Sequence, residues 1–436
     1  MRQIVVVGGG AAGATAASKA KRVNPSARVV LVEARSYITH APCAVPYALK
    51  YGTRLYLYTA EEFAKQRGVE VYANTKAEPG EGNKLKLTGA HGGVIEWDVL
   101  IIATGASPRI PPVEGVDLRG VHVVRHPAEV WEMRDSLEKA TRVVVVGGGY
   151  IGVEMAEVLL EMGKRVTLVE SGRWVLNKMV DEELGRWVTE YMQAMGADLR
   201  LGESVVRILG KDGVVHGVEI TRGTVEADAV VLATGVRPNV ELAKALGARL
   251  GETGAVWTDP YMETSVPGVY AAGDVAEAIS AVTGRPVWLP LAPYANKMGY
   301  VAGVNAATGD KVLRFPPVVG ATVTKFFDMY IGKAGISEVE AKELGWQART
   351  ALVNMRDRAP FIPGGGGEIK IKAVAVGDVL VGVQVVGYTP YVAGVVDLAA
   401  QLIGKPLTSV ILAEFSYMPH TGPVWHPLVA VARLLD

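Results

Sequence analysis

The chain has 436 residues, 45 Lys+Arg against 45 Asp+Glu, 49% hydrophobic residues and one cysteine. The apolar content excludes a disordered chain, and the even charge balance argues against a binder of nucleic acid or of an anionic membrane surface. One cysteine excludes an internal disulfide framework, a CxxC redox pair and an all-cysteine zinc site. The length allows about three domains at roughly 150 residues each. No apolar run reaches the roughly 18 residues of a membrane-spanning helix. Met1-Arg2-Gln3 leads straight into a short apolar strand, with no stretch suited to a signal peptide. The expectation is a cytoplasmic protein with a reduced thiol.

The first predicted strand, Ile4–Val7, runs into Gly8-Gly9-Gly10-Ala11-Ala12-Gly13 and then an Ala-rich helical stretch. A second strand follows and closes on Glu33, 20 residues past Gly13. The whole unit recurs 139 residues later: Val143–Val146, then Gly147-Gly148-Gly149-Tyr150-Ile151-Gly152, a helix, and a strand that closes on Glu170, 18 residues past Gly152. A lone GxGxxG means little. Strand, glycines, helix and acid in this order, twice over, form the full dinucleotide fingerprint. The first glycine permits the tight turn, the second lets backbone approach a diphosphate, and the third lets helix and strand pack closely. The helix N-terminus offers free N–H groups to the phosphates. Glu33 and Glu170 are placed to accept hydrogen bonds from ribose hydroxyls.

Between the two units, Cys43 stands in Thr39-His40-Ala41-Pro42-Cys43-Ala44-Val45-Pro46-Tyr47, which reads as a loop entering a short helix. A thiol at a helix N-terminus has a depressed pKa, and His40 is placed to assist. On the helix after the first glycine turn, Thr15, Lys19 and Arg22 are spaced to share one face. Two cations and a hydroxyl there suit a phosphorylated ligand, or else simply a solvated face. A second repeated element follows: Val99–Gly105 ends in Ala-Thr-Gly, and so does Ala229–Gly235. Val269–Ala272 then runs into Gly273-Asp274, with no second copy. From about residue 313 a new unit begins, with strand-like runs at Val318–Lys325 and Val379–Val386. The apolar side of such a sheet must be covered. Seven histidines are scattered without HxxxH or HExxH spacing, so no metal site is expected.

These residues resemble the flavin-dependent pyridine nucleotide–disulfide oxidoreductases, and the resemblance spans essentially the whole chain. It implies an α/β fold: two Rossmann-like dinucleotide-binding domains plus a C-terminal α+β interface domain. Residues 1–113 and 240–312 would bind FAD, 114–239 NADH or NADPH, and 313–436 would form a homodimer interface. For FAD it implies Gly8, Gly10, Ala11, Ala12, Gly13, Glu33, Ala34, Ala77, Thr104, Gly105, Gly273, Asp274, Leu291 and Ala292. For NAD(P)H it implies Gly147, Gly149, Tyr150, Ile151, Gly152, Glu170 and Gly235.

Cys43-Ala44-Val45-Pro46-Tyr47 resembles the Cys-(Gly/Ala)-x-Pro-Tyr signature of the single-cysteine branch. That branch holds CoA-disulfide reductases, persulfide and polysulfide reductases, NADH oxidases and NADH peroxidases. In the first of these, positions matching Thr15, Lys19, Arg22 and Thr39 contact coenzyme A, and Pro42 and Trp425 belong to the same implied substrate site. Tyr417 would serve the Cys43 of the opposite subunit. The chain departs from the pattern at Pro42, where an Asn is common, and at Phe361, where a second tyrosine is expected. The implied reaction carries hydride from NAD(P)H through FAD to Cys43, which reduces a CoA-disulfide, persulfide or polysulfide. One alternative is an NADH oxidase or peroxidase with a cysteine sulfenic acid. Another is an FAD redox-sensing or electron-transfer protein with a macromolecular partner.

Overall fold

Gln3–Val7 is buried on both faces because it is the middle strand of a parallel sheet. It pairs with Arg28–Val32 on one side and Val99–Ile102 on the other. Glu70–Tyr72 and Val269–Ala271 complete five strands. Continuous β-branched runs suit such doubly covered strands. The computed structural model describes residues 1–52, 54–359, 361–364 and 366–436.

The repeat in sequence is a repeat in space. Arg142–Val146 is the middle of a second five-stranded parallel sheet, flanked by Arg165–Glu170 and Ala229–Leu232. Here the edge strand Val121–Val123 precedes the glycine turn, whereas its counterpart Val269–Ala271 comes late in the chain. The two Ala-Thr-Gly turns lead into Ala106–Pro108 and Val236–Pro238, which pair with each other antiparallel. Asn239 locks this crossing: its amide donates to the Thr104 carbonyl at 2.9 Å and accepts from Ser107 Oγ at 2.7 Å.

The helix Ala11–Val23 packs on Ala292–Thr308 through small residues. A Cβ on Gly299 would stand 2.2 Å from the Ala12 carbonyl oxygen, and one on Gly303 2.5 Å from that of Ala16. That close approach presents Thr15 and Lys19 to Asn296 and Tyr300.

The third sheet is antiparallel, in the order Thr322–Phe326, Met329–Gly335, Val379–Gly387, Glu368–Val376, Ala348–Arg356. The strand read at Val318–Lys325 starts late because Gly320 turns with φ +84°, which leaves Val318 as an isolated bridge to Ser280. Both faces of the sheet's inner strands are covered within the chain. Helices Tyr391–Leu402, Leu407–Ile411 and Pro427–Ala432 bury Ile369, Ile371, Val383 and Val385. Phe326, Met329, Ile331 and Val386 join the core beneath the second parallel sheet. The sheet's apolar side therefore does not itself call for a second subunit. No helix among the described residues is long and apolar enough to cross a membrane.

Candidate active site

The two glycine turns have the same geometry. Gly8 and Gly147 have φ +105° and +107°, and a Cβ on either would meet the carbonyl oxygen of Ala103 or Ala233 at 2.2 and 2.5 Å. A Cβ on Gly13 or Gly152 would stand 1.8 Å from the carbonyl oxygen of Gly8 or Gly147. Gly10 and Gly149 face open space, with nothing within 4 Å of a Cβ. Each turn is thus tight behind and bare in front, at a helix N-terminus, which is the form a bound diphosphate requires.

In front of Gly8–Ala12 lies a cavity of about 950 Å³, a volume that includes its open mouth. Glu33, Pro42, Cys43, Thr104, Gly105, Asp274, Leu291 and Ala292 line it together with Gly8, Gly10, Ala11 and Ala12. Gly13 and Gly273 shape its wall from behind; at Gly273, with φ +84°, a Cβ would reach 2.7 Å from that of Ala12. Ala34, which is exposed, and Ala77, paired with Leu87 in a separate antiparallel sheet, do not line it.

Cys43 sits in a 3₁₀ turn, Pro42–Ala44, ahead of the helix Val45–Tyr51. Its approach is held by Thr39, whose N–H donates to the Gly9 carbonyl at 2.7 Å while its φ is +54°. A β-branched residue in that region stores roughly 1–3 kcal/mol of strain, a cost met often beside functional sites. The thiol is exposed at the cavity mouth, yet its inner side is crowded by protein. That crowding, followed by the Glu154 carboxylate, pushes its pKa up, and Arg125 pulls weakly the other way. The expected depression is therefore absent in this chain by itself. His40 lends no charge, because burial and then Arg125 and Arg35 hold it neutral with a pKa of about 4.

Sequence reasoning missed several residues of this cavity. Arg125 donates to Asp274 Oδ2 at 2.6 Å in a pair that is largely buried. His126 and Arg35 are joined at 2.6 Å, and Tyr37 and Asn239 complete the wall beside His40, which the sequence already placed near the thiol. Arg125 and His126 lie about eighty positions from Cys43 and belong to no motif. Glu154 was also missed. It lies on the helix Tyr150–Glu161, accepts from Thr324 Oγ1 at 2.8 Å, and burial raises its pKa to about 7.

In the second copy Tyr150 and Ile151 open the helix, and the Tyr150 hydroxyl bonds to Thr322 Oγ1 at 2.8 Å. Glu170 accepts from Gly148 N–H and Gly172 N–H, each at 2.6 Å, and from Asn177 at 3.1 Å. Gly235, with φ +92°, begins the return strand.

On the outer face of the first helix, Thr15 Oγ1 donates to Asn296 at 3.0 Å and Lys19 lies 4.3 Å above the Tyr300 ring. Thr15, Asn296, Lys297, Tyr300 and Phe315 line a shallow groove there, and Arg22 is exposed one turn beyond Lys19. Tyr417 and Trp425 are exposed at 46% and 52%, and neither lines the cavity of its own chain. Phe361 is exposed as well; its neighbour Pro360 lies outside the described residues. Among the described residues no group of three or more His, Cys, Asp or Glu could hold a metal ion.

The family model of the pyridine nucleotide-disulphide oxidoreductases matches residues 2–299, and the chain belongs to that family. It is an oxidoreductase of a class that works with FAD and NAD(P)H. The two bare-fronted turns and the cavity fit those dinucleotides. The chain is 44% identical over 444 residues to an NAD(P)H sulfur oxidoreductase (CoA-dependent) of Pyrococcus abyssi, covering 100% of this chain and 98% of the relative. It is 42% identical to an NAD(P)H coenzyme A polysulfide/persulfide reductase of Pyrococcus horikoshii, with 100% and 98% covered. Among solved structures, an NAD-dependent persulfide reductase from A. fulgidus matches with TM-score 0.95 and 32% identity, covering 99% of this chain and 83% of that one.

Proposed function

We propose that this chain reduces a CoA-linked disulfide, persulfide or polysulfide at the expense of NAD(P)H, with Cys43 as its one working thiol. The observation that carries this reading is the place of Cys43. The chain's sole cysteine stands at the mouth of the cavity in front of the first glycine turn. The relatives named above support the sulfur chemistry. Residues 1–113 with 240–312, 114–239 and 313–436 are taken as the FAD, NAD(P)H and interface units, and the cytoplasm as the location.

When bound, FAD takes the hydride equivalent of NAD(P)H and passes an electron pair on to sulfur. The chain does the rest. Gly8, Gly10 and Gly13 with the helix N-terminus hold one dinucleotide, and Gly147, Gly149 and Gly152 the other. The Cys43 thiolate attacks the outer sulfur of a disulfide, forming one S–S bond and releasing one thiolate. Two electrons and a proton then free the second thiol and restore Cys43. Glu154, with a pKa of about 7, holds a proton beside that thiol near neutrality. Lys19, Arg22 and Lys297 offer cations to the phosphates of a CoA moiety, and Tyr300 and Phe315 offer it apolar surface.

We also place the protein as a homodimer in which Tyr417 and Trp425 reach the partner's site. Their exposure, with that of Met418 and Val424 beside them, supports this reading.

The test is Cys43→Ser. Flavin bleaching by NADH in stopped flow survives the change, and disulfide or persulfide turnover is lost. Undiminished turnover would sink the thiol mechanism. Mass spectrometry of the denatured wild type separates the acceptors: a CoA adduct on Cys43 supports this reading, whereas a sulfenic acid supports an oxidase or peroxidase.

A further inference from the structure

One wall of the cavity, running from beside the glycine turn, is a rail of polar groups. Glu33 Oε1 lies 3.5 Å from Arg35 Nη1, Arg35 Nη2 lies 2.6 Å from His126 Nε2, and the His126 and His40 rings stand 4.9 Å apart. His40 ends the strand Tyr37–His40, three residues before Cys43, and His126 is the N-cap of the helix Pro127–Lys139. Arg125 stands beside the pair with its Nη2 given to Asp274. The rail thus runs from the acid that closes the first fold to the thiol.

Four buried atoms on this rail have no hydrogen-bond partner: Tyr37 Oη, His40 Nε2, Arg125 Nε and His126 Nδ1. Buried polar atoms are rarely left so, and each orphan costs roughly 1–3 kcal/mol. All four side chains line the cavity. Their chemistry can be read further. Burial keeps both rings neutral near pH 7, with pKa values of about 4 for His40 and about 2 for His126. The charged groups around them are Arg35, Arg125, Glu33, Glu129 and Asp274. A guanidinium can only donate, so His126 Nε2 accepts from Arg35 and the ring hydrogen is on Nδ1. His40 is neutral too, and its unpartnered Nε2 accepts or donates according to the ring's tautomer. The unpaired set is then two donors, Arg125 Nε–H and His126 Nδ1–H, beside two groups able to take either role, His40 Nε2 and the Tyr37 hydroxyl. A ligand that completes it presents anionic oxygens next to a hydroxyl.

We propose that His40 and His126 are cofactor-holding residues that read the junction between the diphosphate and the polyol of FAD, with His126 donating to a phosphate oxygen and His40 sharing a hydrogen bond with a hydroxyl. This rests on the reading of the cavity as the FAD site. The diphosphate belongs beside the rail because Gly10 and the N-terminus of the helix Ala11–Val23 line the same cavity. Glu33 marks the adenosine end and Cys43 the flavin end, which leaves the two histidines at the middle of the dinucleotide. The pair joins Cys43's own loop to the segment that leads into the second nucleotide fold. Its loss would be felt in cofactor retention before it was felt in chemistry.

The test uses the holoenzyme. FAD release is followed by the rise of flavin fluorescence on dilution, and the bound diphosphate by its phosphorus NMR signals. In His40→Leu and His126→Leu release speeds up by about tenfold or more, and in His126→Leu the phosphorus signals move. His40→Gln and His126→Asn place an amide near the lost nitrogen and stay within about threefold of wild type. Should a leucine variant not fold, His40→Asn and His126→Gln misplace the amide by one bond and give the same faster release. Wild-type release and unmoved signals in all of these would overturn the proposal. Gly10→Val separates that outcome from failure of the underlying reading, since its side chain fills the cavity without backbone strain. If Gly10→Val retains FAD fully, the cavity is not the FAD site.

Discussion

Glu33 and Glu170 hold the same post in the two nucleotide folds: each takes the N–H of the second glycine of its turn, Gly9 or Gly148, at 2.6 Å. Each also accepts from the amide two positions further on, Arg35 at 2.9 Å and Gly172 at 2.6 Å. The acid therefore closes the glycine turn, from the position at which a ribose is expected. In the second copy Arg173 follows and is exposed, a nearby cation that could favour a 2′-phosphate. The carboxylate is the more firmly fixed of the two. NADH is thus expected to be used at least as well as NADPH. Glu170→Ala lowers kcat/KM for NADH by about tenfold or more and moves the NADPH/NADH ratio upward. A wild type that prefers NADPH by more than about tenfold would show that Arg173 dominates.

The Cys43 thiol is held above its ordinary pKa by burial and then by Glu154. Glu154 is itself ionised above about pH 7. Above that pH its negative charge disfavours a thiolate nearby. In Glu154→Gln the thiolate forms at lower pH, so the pH profile of Cys43 alkylation shifts to the acid side. An unchanged profile, or one shifted to higher pH, would remove Glu154 from the thiol's environment.

A composite site makes a prediction that neither chain meets alone. Cys43→Ser and Tyr417→Ala are each expected to be inactive as homodimers. Mixed after chain exchange, they regain one wild-type site per heterodimer, or about half the wild-type rate per mixed dimer. Persistent inactivity with exchange verified, or a monomer by light scattering, would overturn the dimer reading.

His426 gives a pH-dependent contribution to stability. It is buried against Phe415, with ring centroids 4.0 Å apart, and its Nδ1 accepts from Leu428 N–H at the start of the C-terminal helix. Burial lowers its pKa to about 4. The unfolded chain takes up this proton below about pH 6.5, while the folded chain resists until about pH 4. The stability is therefore full above pH 6.5 and is lost as pH falls through that window, by at most on the order of 3 kcal/mol. His426→Asn keeps a capping acceptor without the charge. Its thermal midpoint should fall less than that of wild type between pH 7 and pH 4.5.

Much of this molecule is readable in its residues, because the two glycine turns and their acids are local patterns. Spacing within about thirty positions carries Gly8 to Glu33 and Gly147 to Glu170, and the structure closes both in the same way. Cys43 was legible as a thiol in a loop near the sheet's C-terminal edge. Its pKa was not, since that depends on Glu154, which arrives from a helix over a hundred positions away and reads locally as one more helical acid. Arg125 and His126 were hidden for the same reason: topology brings them to Asp274 and His40. The C-terminal sheet invited a partner on its apolar side, but its covering helices follow it in the chain and close that face.

The short ladder between Ala106–Pro108 and Val236–Pro238, in which Pro108 faces Val236, has a modular consequence. The outgoing and returning chains share one doorway, so the stretch from Arg109 to Gly235 has a single covalent gateway, while Arg125–Asp274, Tyr150–Thr322 and Glu154–Thr324 tie it by contact to the rest of the chain. A tight turn grafted from Pro108 to Val236 would excise the stretch as a cassette and leave all five strands of the first parallel sheet in place. The same socket could accept a foreign module whose ends lie equally close together.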